Sequence, residues 1–326
     1  MQKRKLGYSD LNFSTIGLGT WAMGGGDWKF GWGPQDDQAS IKAIHAALDQ
    51  GINWIDTAPI YGHGHAESVV GKALSGMQNL PLIATKCGRV WEGESKEIGK
   101  SLRAKSIRKE VDASLTRLRI EVIDLYQIHW PQPDDEIEEG WTTMAELVKE
   151  GKIRFCGVSN FNLEQLKRAQ AIHPITSLQP PYSMLRRDIE DDILPYCREH
   201  SIGLLAYSPM QAGLLTGKFS KERVAALPDT DWRSGNPFFN EPQLSINLDV
   251  VEQLREIAGD KGISLAQLSL AWVLRLKELT AAIVGARRPE QIRDTARAGD
   301  IVLNKEEIDK IERILLWREN HLESNN

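Results

Sequence analysis

Eight successive pairs of a short apolar run and an amphipathic helical stretch predict a (β/α)8 TIM barrel in the α/β class, with an N-terminal β-hairpin and extra helices near the C-terminus. Two further observations support that class. The stretches between apolar runs are long enough for the helical crossovers that parallel strands need. Ionisable side chains recur at the C-terminal ends of the runs, where an α/β barrel gathers its chemistry. A doubly wound sheet is the competing architecture. The barrel reading makes residues 1–326 one domain, with a hairpin over 1–14, a long loop over 208–247 and a C-terminal helix over 304–326.

Residues 1–12 are short, polar and turn-rich, with Gly7 and Ser9-Asp10, and fit a hairpin that plugs the barrel floor. Residues 15–19 are the first strand. After a loop rich in Gly and Trp, Asp36 or Asp37 caps a helix with Ile41, Ile44 and Leu48 on one face, and Gly51 ends it. The remaining strands are expected at 52–56, 80–87, 122–129, 153–158, 175–179, 202–207 and 281–284. Helices are expected at 66–74, 106–119, 136–150, 162–171, 188–200, 248–259 and 265–276, then from Pro289 and from Lys305. Pro131 stops the fourth strand and Pro180-Pro181 marks the turn after the sixth. Residues 208–247 are rich in Gly, Pro and polar residues yet carry Trp232, Phe238 and Phe239, which favours a lid over an unstructured insertion.

Composition narrows the function classes. Hydrophobic content of 41% and charged content of 26% are ordinary for a globular chain, so a core of normal size is available. A net charge of -5 speaks against nucleic acid as a partner. Cys87, Cys156 and Cys197 are odd in number and lack CxxC spacing, which fits small core residues in a reducing compartment. The basic N-terminus has no apolar stretch behind it, and no apolar run approaches the roughly 18 residues of a membrane span. A soluble, cytoplasmic protein is expected, with no membrane partner and a monomer as the default.

The stretch 53–62, Asn-Trp-Ile-Asp-Thr-Ala-Pro-Ile-Tyr-Gly, closes an apolar run on Asp56 and places Tyr61 five positions later. Lys86 and His129 end the third and fourth runs, so a barrel makes all four neighbours. A buried ammonium beside a phenol favours phenolate and lowers its pKa from about 10. Asp56 supplies the counter-charge a buried Lys86 needs, and His129 would orient the group being protonated. The chemistry implied is proton transfer to an oxygen gaining negative charge, half of a carbonyl reduction. Each residue also has a structural reading: a turn cap for Asp56, a loop tyrosine, a snorkelling lysine and a core histidine. Their recurrence at consecutive strand ends favours a site. A Schiff-base role for Lys86 is the catalytic alternative. His63 and His65 lack an H-E-x-x-H frame and a third ligand, so no metal is expected. Gly17-Leu18-Gly19-Thr20-Trp21-Ala22 loosely matches a dinucleotide fingerprint, but such a loop must open a helix and the glycines that follow keep this one irregular.

Several motifs resemble the aldo-keto reductase family: Gly17-Leu18-Gly19-Thr20-Trp21, Asp56-Thr57-Ala58 with Tyr61-Gly62, Ala84-Thr85-Lys86 and the run Asp124-Leu125-Tyr126-Gln127-Ile128-His129-Trp130-Pro131. Gly157-Val158-Ser159-Asn160-Phe161, Tyr207-Ser208-Pro209, 213–218 and Gly285-Ala286-Arg287 extend the match to about residue 300. The resemblance is nearest to a bacterial general-stress reductase branch related to potassium-channel β subunits. It implies a (β/α)8 barrel, NADPH/NADP+ as cofactor, a small-molecule carbonyl substrate, and Tyr61 as acid/base with Asp56, Lys86 and His129 around it. It also implies carboxamide contacts from Ser159, Asn160 and Gln179, stacking of nicotinamide on Tyr207, and first-strand contacts from Gly19, Thr20, Trp21 and Asp56. Ser208, Pro209, Leu214, Gly217 and Lys218 resemble the pyrophosphate segment, whose backbone N–H groups and ammonium suit an anion. Gly285, Arg287, Gln291 and Asp294 correspond to the adenosine 2′-phosphate segment. Many relatives have a basic residue in place of Gln291 and Glu-Asn in place of Asp294-Thr295, so the phosphate contact rests on Arg287 or Arg288. Trp21, Tyr61 and Trp130 are the expected substrate pocket, with Trp28, Trp32 and Trp91 on nearby loops, and broad specificity is expected. The channel relatives imply an alternative, a nucleotide-binding docking subunit with little turnover.

Overall fold

The computed structural model describes all residues except 27, 29, 92, 94–96, 229, 230, 325 and 326. Eight parallel strands close a barrel in chain order: β1 Ile16–Gly19, β2 Trp54–Asp56, β3 Leu82–Cys87, β4 Ile123–Ile128, β5 Ile153–Ser159, β6 Ser177–Gln179, β7 Gly203–Ala206 and β8 Leu279–Gly285. Around them run α1 Asp37–Asp49, α2 His65–Leu74, α3 Ala104–Leu118, α4 Ile137–Lys149, α5 Leu163–Gln170, α6 Ile193–Glu199, α7 Lys221–Ala225, α8 Gln243–Lys261, α9 Leu265–Leu274, α10 Pro289–Ala296 and α11 Lys305–Glu323. The doubly wound alternative fails because β8 pairs with β1, which leaves no open edge in the ring.

Local chemistry sets the helix starts. Asp36 accepts the Ala39 N–H at 2.8 Å, and Asn162 with Gln165, Ser264 with Gln267 and Asn304 with Glu307 form reciprocal capping boxes. Apolar faces of α1 to α5 then pack on the outside of the strands in one continuous core.

The hairpin Lys3–Lys5 with Asn12–Ser14 closes the floor. Leu6, Leu11 and Phe13 fill the interior with Trp54, Leu125, Leu205 and Ala281. Phe13 stacks on Trp54 at 4.5 Å, while the Trp54 indole N–H donates to the Ser14 carbonyl at 2.9 Å. A sealed floor leaves the opposite end as the one open mouth, and the register brings Gly19, Asp56 and Ala84 level there. Two residues beyond Ala84, Lys86 faces the same interior, because side chains alternate along a strand.

Two expectations are corrected. The helix expected at 188–200 is Ile193–Glu199 only. Pro195 is tolerated in a first turn but would clash with the carbonyl of residue 191 in a helix begun earlier. Within 208–247 lie turns of 3-10 helix at Gln211–Thr216, Trp232–Gly235 and Pro237–Phe239 and helix α7, and the helix expected at 248–259 begins earlier, at Gln243. There Glu241 accepts both the N–H and the hydroxyl of Ser245, which closes the first turn. The last two residues of the expected 304–326 helix lie outside the described residues.

Replacing Phe13 by Ala should cost about 3–5 kcal/mol, the usual range for a buried phenylalanine. A urea melt would show the midpoint falling; an unchanged midpoint would mean the hairpin contributes nothing to the floor.

Candidate active site

At the mouth, Lys86 is fully buried and Asp56 nearly so. The Lys86 ammonium donates to both Asp56 carboxylate oxygens at 2.8 Å and to the Thr57 carbonyl at 2.9 Å. That uses all three of its protons. Thr20 holds Asp56 from the other side, its N–H and hydroxyl both donating to the Asp56 carbonyl at 3.0 and 3.1 Å. Tyr61 sits on the loop after β2 with its ring centroid 5.3 Å from the Lys86 nitrogen, and the His129 ring meets it edge to face at 5.9 Å. The four sequence-selected residues therefore share one site.

The loop that carries Tyr61 is locked against the loop after β1. A Cβ on Gly62 would lie 2.1 Å from the Gly24 carbonyl oxygen, and one on Gly24 would lie 2.7 Å from the Gly62 nitrogen, so only two glycines allow this approach.

The electrostatics differ from the sequence reading in one respect. Lys86 was expected to favour phenolate at Tyr61; instead burial pushes the phenol well above its usual value, and the Asp56 charge adds to that. Asp56 meets Lys86 at 2.8 Å, so the carboxylate offsets the pull of the ammonium on the ring and burial decides the direction. Burial lowers the Lys86 ammonium while Asp56 opposes it. His129 falls well below its ordinary value through burial and the neighbouring Lys86 and Arg89 charges, so it is a neutral imidazole at pH 7.

Beside this cluster the residues expected to hold nicotinamide are wired to one another. Tyr207 donates to Asn160 Oδ1 at 2.8 Å, and Asn160 Nδ2 donates to the His129 carbonyl and to Ser159 Oγ, both at 3.0 Å. Ser159 Oγ donates to the Gln179 carbonyl at 2.8 Å, and Gln179 Nε2 donates to Asp56 Oδ1 at 2.8 Å. Asn160 adopts φ 63°, a region its side chain tolerates better than most. Amide donors and acceptors beside an aromatic ring fit a carboxamide and a flat heterocycle. In the segment after β7, where the pyrophosphate contacts are expected, Ser208, Gln211, Ala212, Gly213 and Gly217 all have positive φ, and the N–H groups of Gln211, Gly213 and Gly217 donate to the carbonyls of Ser208, Met210 and Leu214. In it Pro209 and Leu214 are buried and Lys218 is exposed.

The adenosine segment is arranged differently from the expectation. The Arg287 guanidinium donates to Gln35 Oε1 at 2.7 Å, to the Trp32 carbonyl at 3.1 Å and to the Pro34 carbonyl, which ties it to the loop after β1. Gln291 Oε1 accepts the N–H groups of Arg287 and Arg288, at 2.8 and 3.1 Å, as a helix cap. Asp294 accepts from Gln267 at 2.9 Å and Ser264 at 3.2 Å, joining α10 to α9. Gly285 is exposed at the end of β8, as are the cations Arg288 and Arg293.

Trp21 stacks near Tyr61 at 6.3 Å and Trp28 lies 6.0 Å away, whereas Trp130 is 37% exposed and faces Arg89. Trp232, from the long segment after β7, stacks on Trp21 at 5.3 Å and meets Trp32 at 5.6 Å. Its aromatic character in a polar stretch was the available signal, but nothing in sequence spacing pairs it with Trp21. His65 turns away from the site to Asp37, at 2.7 Å, and among the described residues no group of three or more His, Cys, Asp or Glu gathers as for a metal.

A family model described as "Aldo/keto reductase family" matches residues 15–316. The chain belongs to the aldo/keto reductase family. It is 39% identical over 318 residues to aldo-keto reductase YhdN of Bacillus subtilis (strain 168), covering 97% of this chain and 94% of that one. It is 36% identical over 317 residues to the NADH-specific methylglyoxal reductase of Escherichia coli (strain K12), covering 93% and 95%. Among solved structures it resembles the glycerol dehydrogenase AKR11B4 from Gluconobacter oxydans, with TM-score 0.89, 40% identity and coverage of 97% and 95%. Aldo-keto reductase AKR11C1 from Bacillus halodurans, in its holo form, has TM-score 0.79 and 29% identity, with 96% of each chain covered. This aldo/keto reductase is thus an oxidoreductase of small carbonyl compounds that works with a nicotinamide cofactor.

Removing one member of the buried pair in this aldo/keto reductase should be worse than removing both. Asp56→Asn should cost about 3–5 kcal/mol by stranding an ammonium, and adding Lys86→Met should recover most of it. Chemical denaturation of both single variants and the double variant tests this; losses that simply add would mean the pair is not coupled.

Proposed function

We propose that the chain is one NADPH-dependent reductase domain that converts aldehydes and ketones to alcohols, with Tyr61 as proton donor. The observation that carries this reading is the closed Lys86–Asp56 pair facing Tyr61, with His129 at its edge. NADPH, when bound, supplies the hydride.

The residues divide the remaining work. Tyr61 keeps its proton through neutral pH because burial and the Asp56 charge both oppose phenolate. An alkoxide is a far stronger base than phenolate, so transfer to it is still downhill. His129, neutral for the reasons above, can donate to the carbonyl oxygen without holding a charge beside it. Asp56 takes no proton; it lets Lys86 stay charged in a buried place. The wiring of Gln179 to Asp56 joins the carboxamide-binding residues to the same pair. Trp21 and Trp28 narrow the mouth around Tyr61, which suits small substrates, as do the names of the methylglyoxal reductase and glycerol dehydrogenase relatives. A complete tetrad opposes the docking-subunit alternative. Three buried, free cysteines fit a cytoplasmic setting.

Cofactor preference is expected to be modest. With Arg287 tied to the loop after β1, Arg288, exposed and next to it, is the cation offered to a 2′-phosphate, and an exposed ion pair is worth about 0–1 kcal/mol. Fluorescence titration should therefore give NADPH binding tighter than NADH by no more than about tenfold, with Arg288→Ala removing the difference. Tighter binding of NADH would overturn the preference, and one relative bears an NADH-specific name.

Tyr61→Phe should lower turnover by about 10²–10⁴-fold while nucleotide still binds, and unchanged turnover with a good carbonyl substrate would refute the assignment. Tyr61 is shifted up and His129 down, so neither ionises in the neutral range. The reduction rate should be flat around pH 7 and fall only on the alkaline side, where Lys86, lowered by burial, loses its proton; a break near the ordinary histidine pKa would refute the His129 direction. A panel of aldehydes, ketones and sugars should show several substrates; activity on one alone would refute breadth.

A further inference from the structure

One buried carboxylate ties the helix that follows the Tyr61 loop to the strand that carries Lys86. Glu67 lies in the first turn of α2 and has no exposed surface. Its Oε1 accepts the Thr85 hydroxyl at 2.6 Å, and its Oε2 accepts Arg117 Nε at 2.6 Å. Thr85 is also fully buried. It leaves the outer face of β3, while Lys86, the next residue, leaves the inner face. Any shift of the strand at Thr85 is therefore a shift at Lys86.

Arg117 belongs to α3 and completes the contact on the loop side. Its stem passes directly beneath Gly64, the residue before α2: a Cβ on Gly64 would lie 2.6 Å from Arg117 Cδ, and Gly64 has φ +92°. Gly71 brings α2 against the α3 backbone, since a Cβ there would lie 2.4 Å from the Arg117 carbonyl oxygen. Little slack separates this junction from Tyr61. The Gly64 N–H donates to the Pro59 carbonyl at 2.6 Å and the Ala66 N–H to the Tyr61 carbonyl at 3.1 Å. Next door, Glu110 anchors the root of the loop after β3 by accepting the Gly88 N–H at 2.9 Å and the Ser106 hydroxyl at 3.1 Å.

We propose that Glu67 is a positioning residue of the reductase site, acting through Thr85 and Arg117 to fix how Tyr61 faces Lys86. The proposal rests on the reading of Tyr61 as proton donor. Stabilisation of the fold is a weak reason for such an arrangement, because a buried ion pair repays its own desolvation poorly and an apolar pair would fill the space as well. Direction is what the arrangement adds. A carboxylate with one oxygen on the strand and the other on α3 holds three elements at fixed separation, and proton transfer is sensitive to misplacement of about 1 Å. Arg117 offsets the Glu67 charge in part, and what remains helps keep the Lys86 ammonium charged; the link through Thr85 and Arg117 is geometric.

Thr85→Val keeps the shape and removes the donor; Thr85→Ser keeps the donor. Thr85→Val should lower kcat about ten- to hundredfold while KM and the NADPH dissociation constant stay within about twofold, and Thr85→Ser should restore kcat. Wild-type kcat in Thr85→Val, a loss confined to KM or nucleotide binding, or a Thr85→Ser variant as slow as Thr85→Val would each overturn the proposal. Should Thr85→Val fail to fold, Arg117→Lys tests the other arm by the same kcat-only signature, and wild-type kcat there would overturn the proposal too. Tyr61→Phe run beside them separates the two readings. If Tyr61→Phe is inactive and Thr85→Val fully active, only the role of Glu67 is lost; if Tyr61→Phe turns over normally, the proton-donor reading itself fails.

Discussion

The rest of this structure depends on a lysine that has been taken out of water. Lys86 has no exposed surface, and an isolated ammonium in such a place would lose its proton sooner than stay charged. Asp56 meets it with both carboxylate oxygens, and Thr57 uses its carbonyl for the third proton. Every neighbouring element bears on that pair. Thr20 clamps the Asp56 backbone, Gln179 takes a further lone pair of the carboxylate, and the Tyr61 loop packs over the top through Gly24 and Gly62.

This closure explains an electrostatic result that runs against intuition. A cation 5.3 Å from a phenol ring would ordinarily favour phenolate. Here the cation is paired before the phenol meets it, so burial decides and the proton stays on Tyr61. The pair thus serves as a polar, nearly neutral floor that keeps shape, while the hydroxyl above it retains the proton. His129 is kept neutral by the same burial, with the Lys86 and Arg89 charges adding to it.

The barrel lets loops from distant parts of the chain share the mouth. Trp21 from the loop after β1, Tyr61 from the loop after β2 and Trp232 from the segment after β7 form one aromatic wall. Arg287, just beyond the end of β8, reaches back to the carbonyls of Trp32 and Pro34 and so fastens the loop after β1 to that strand end.

Much of this was legible in the sequence. Residues that meet a local rule declared themselves: Asp36 and Asn162 as caps, the helical spacing of Ile107, Val111, Leu115 and Leu118, the proline stops, and the four polar residues at or just beyond the ends of apolar runs. Such signals are local because helix caps and periodicity involve residues three or four positions apart. What only the tertiary structure decided were relations between residues far apart in the chain. The pairing of Trp232 with Trp21, the capture of Arg287 by the loop after β1, the exposure of Trp130 and the meeting of Glu67, Thr85 and Arg117 all depend on how strands register around a closed ring. The direction of the Tyr61 shift belongs with them. A sequence shows that a cation and a phenol are present, but not whether the cation has already been neutralised, and that depends on distances of 2.8 Å that only the folded chain sets.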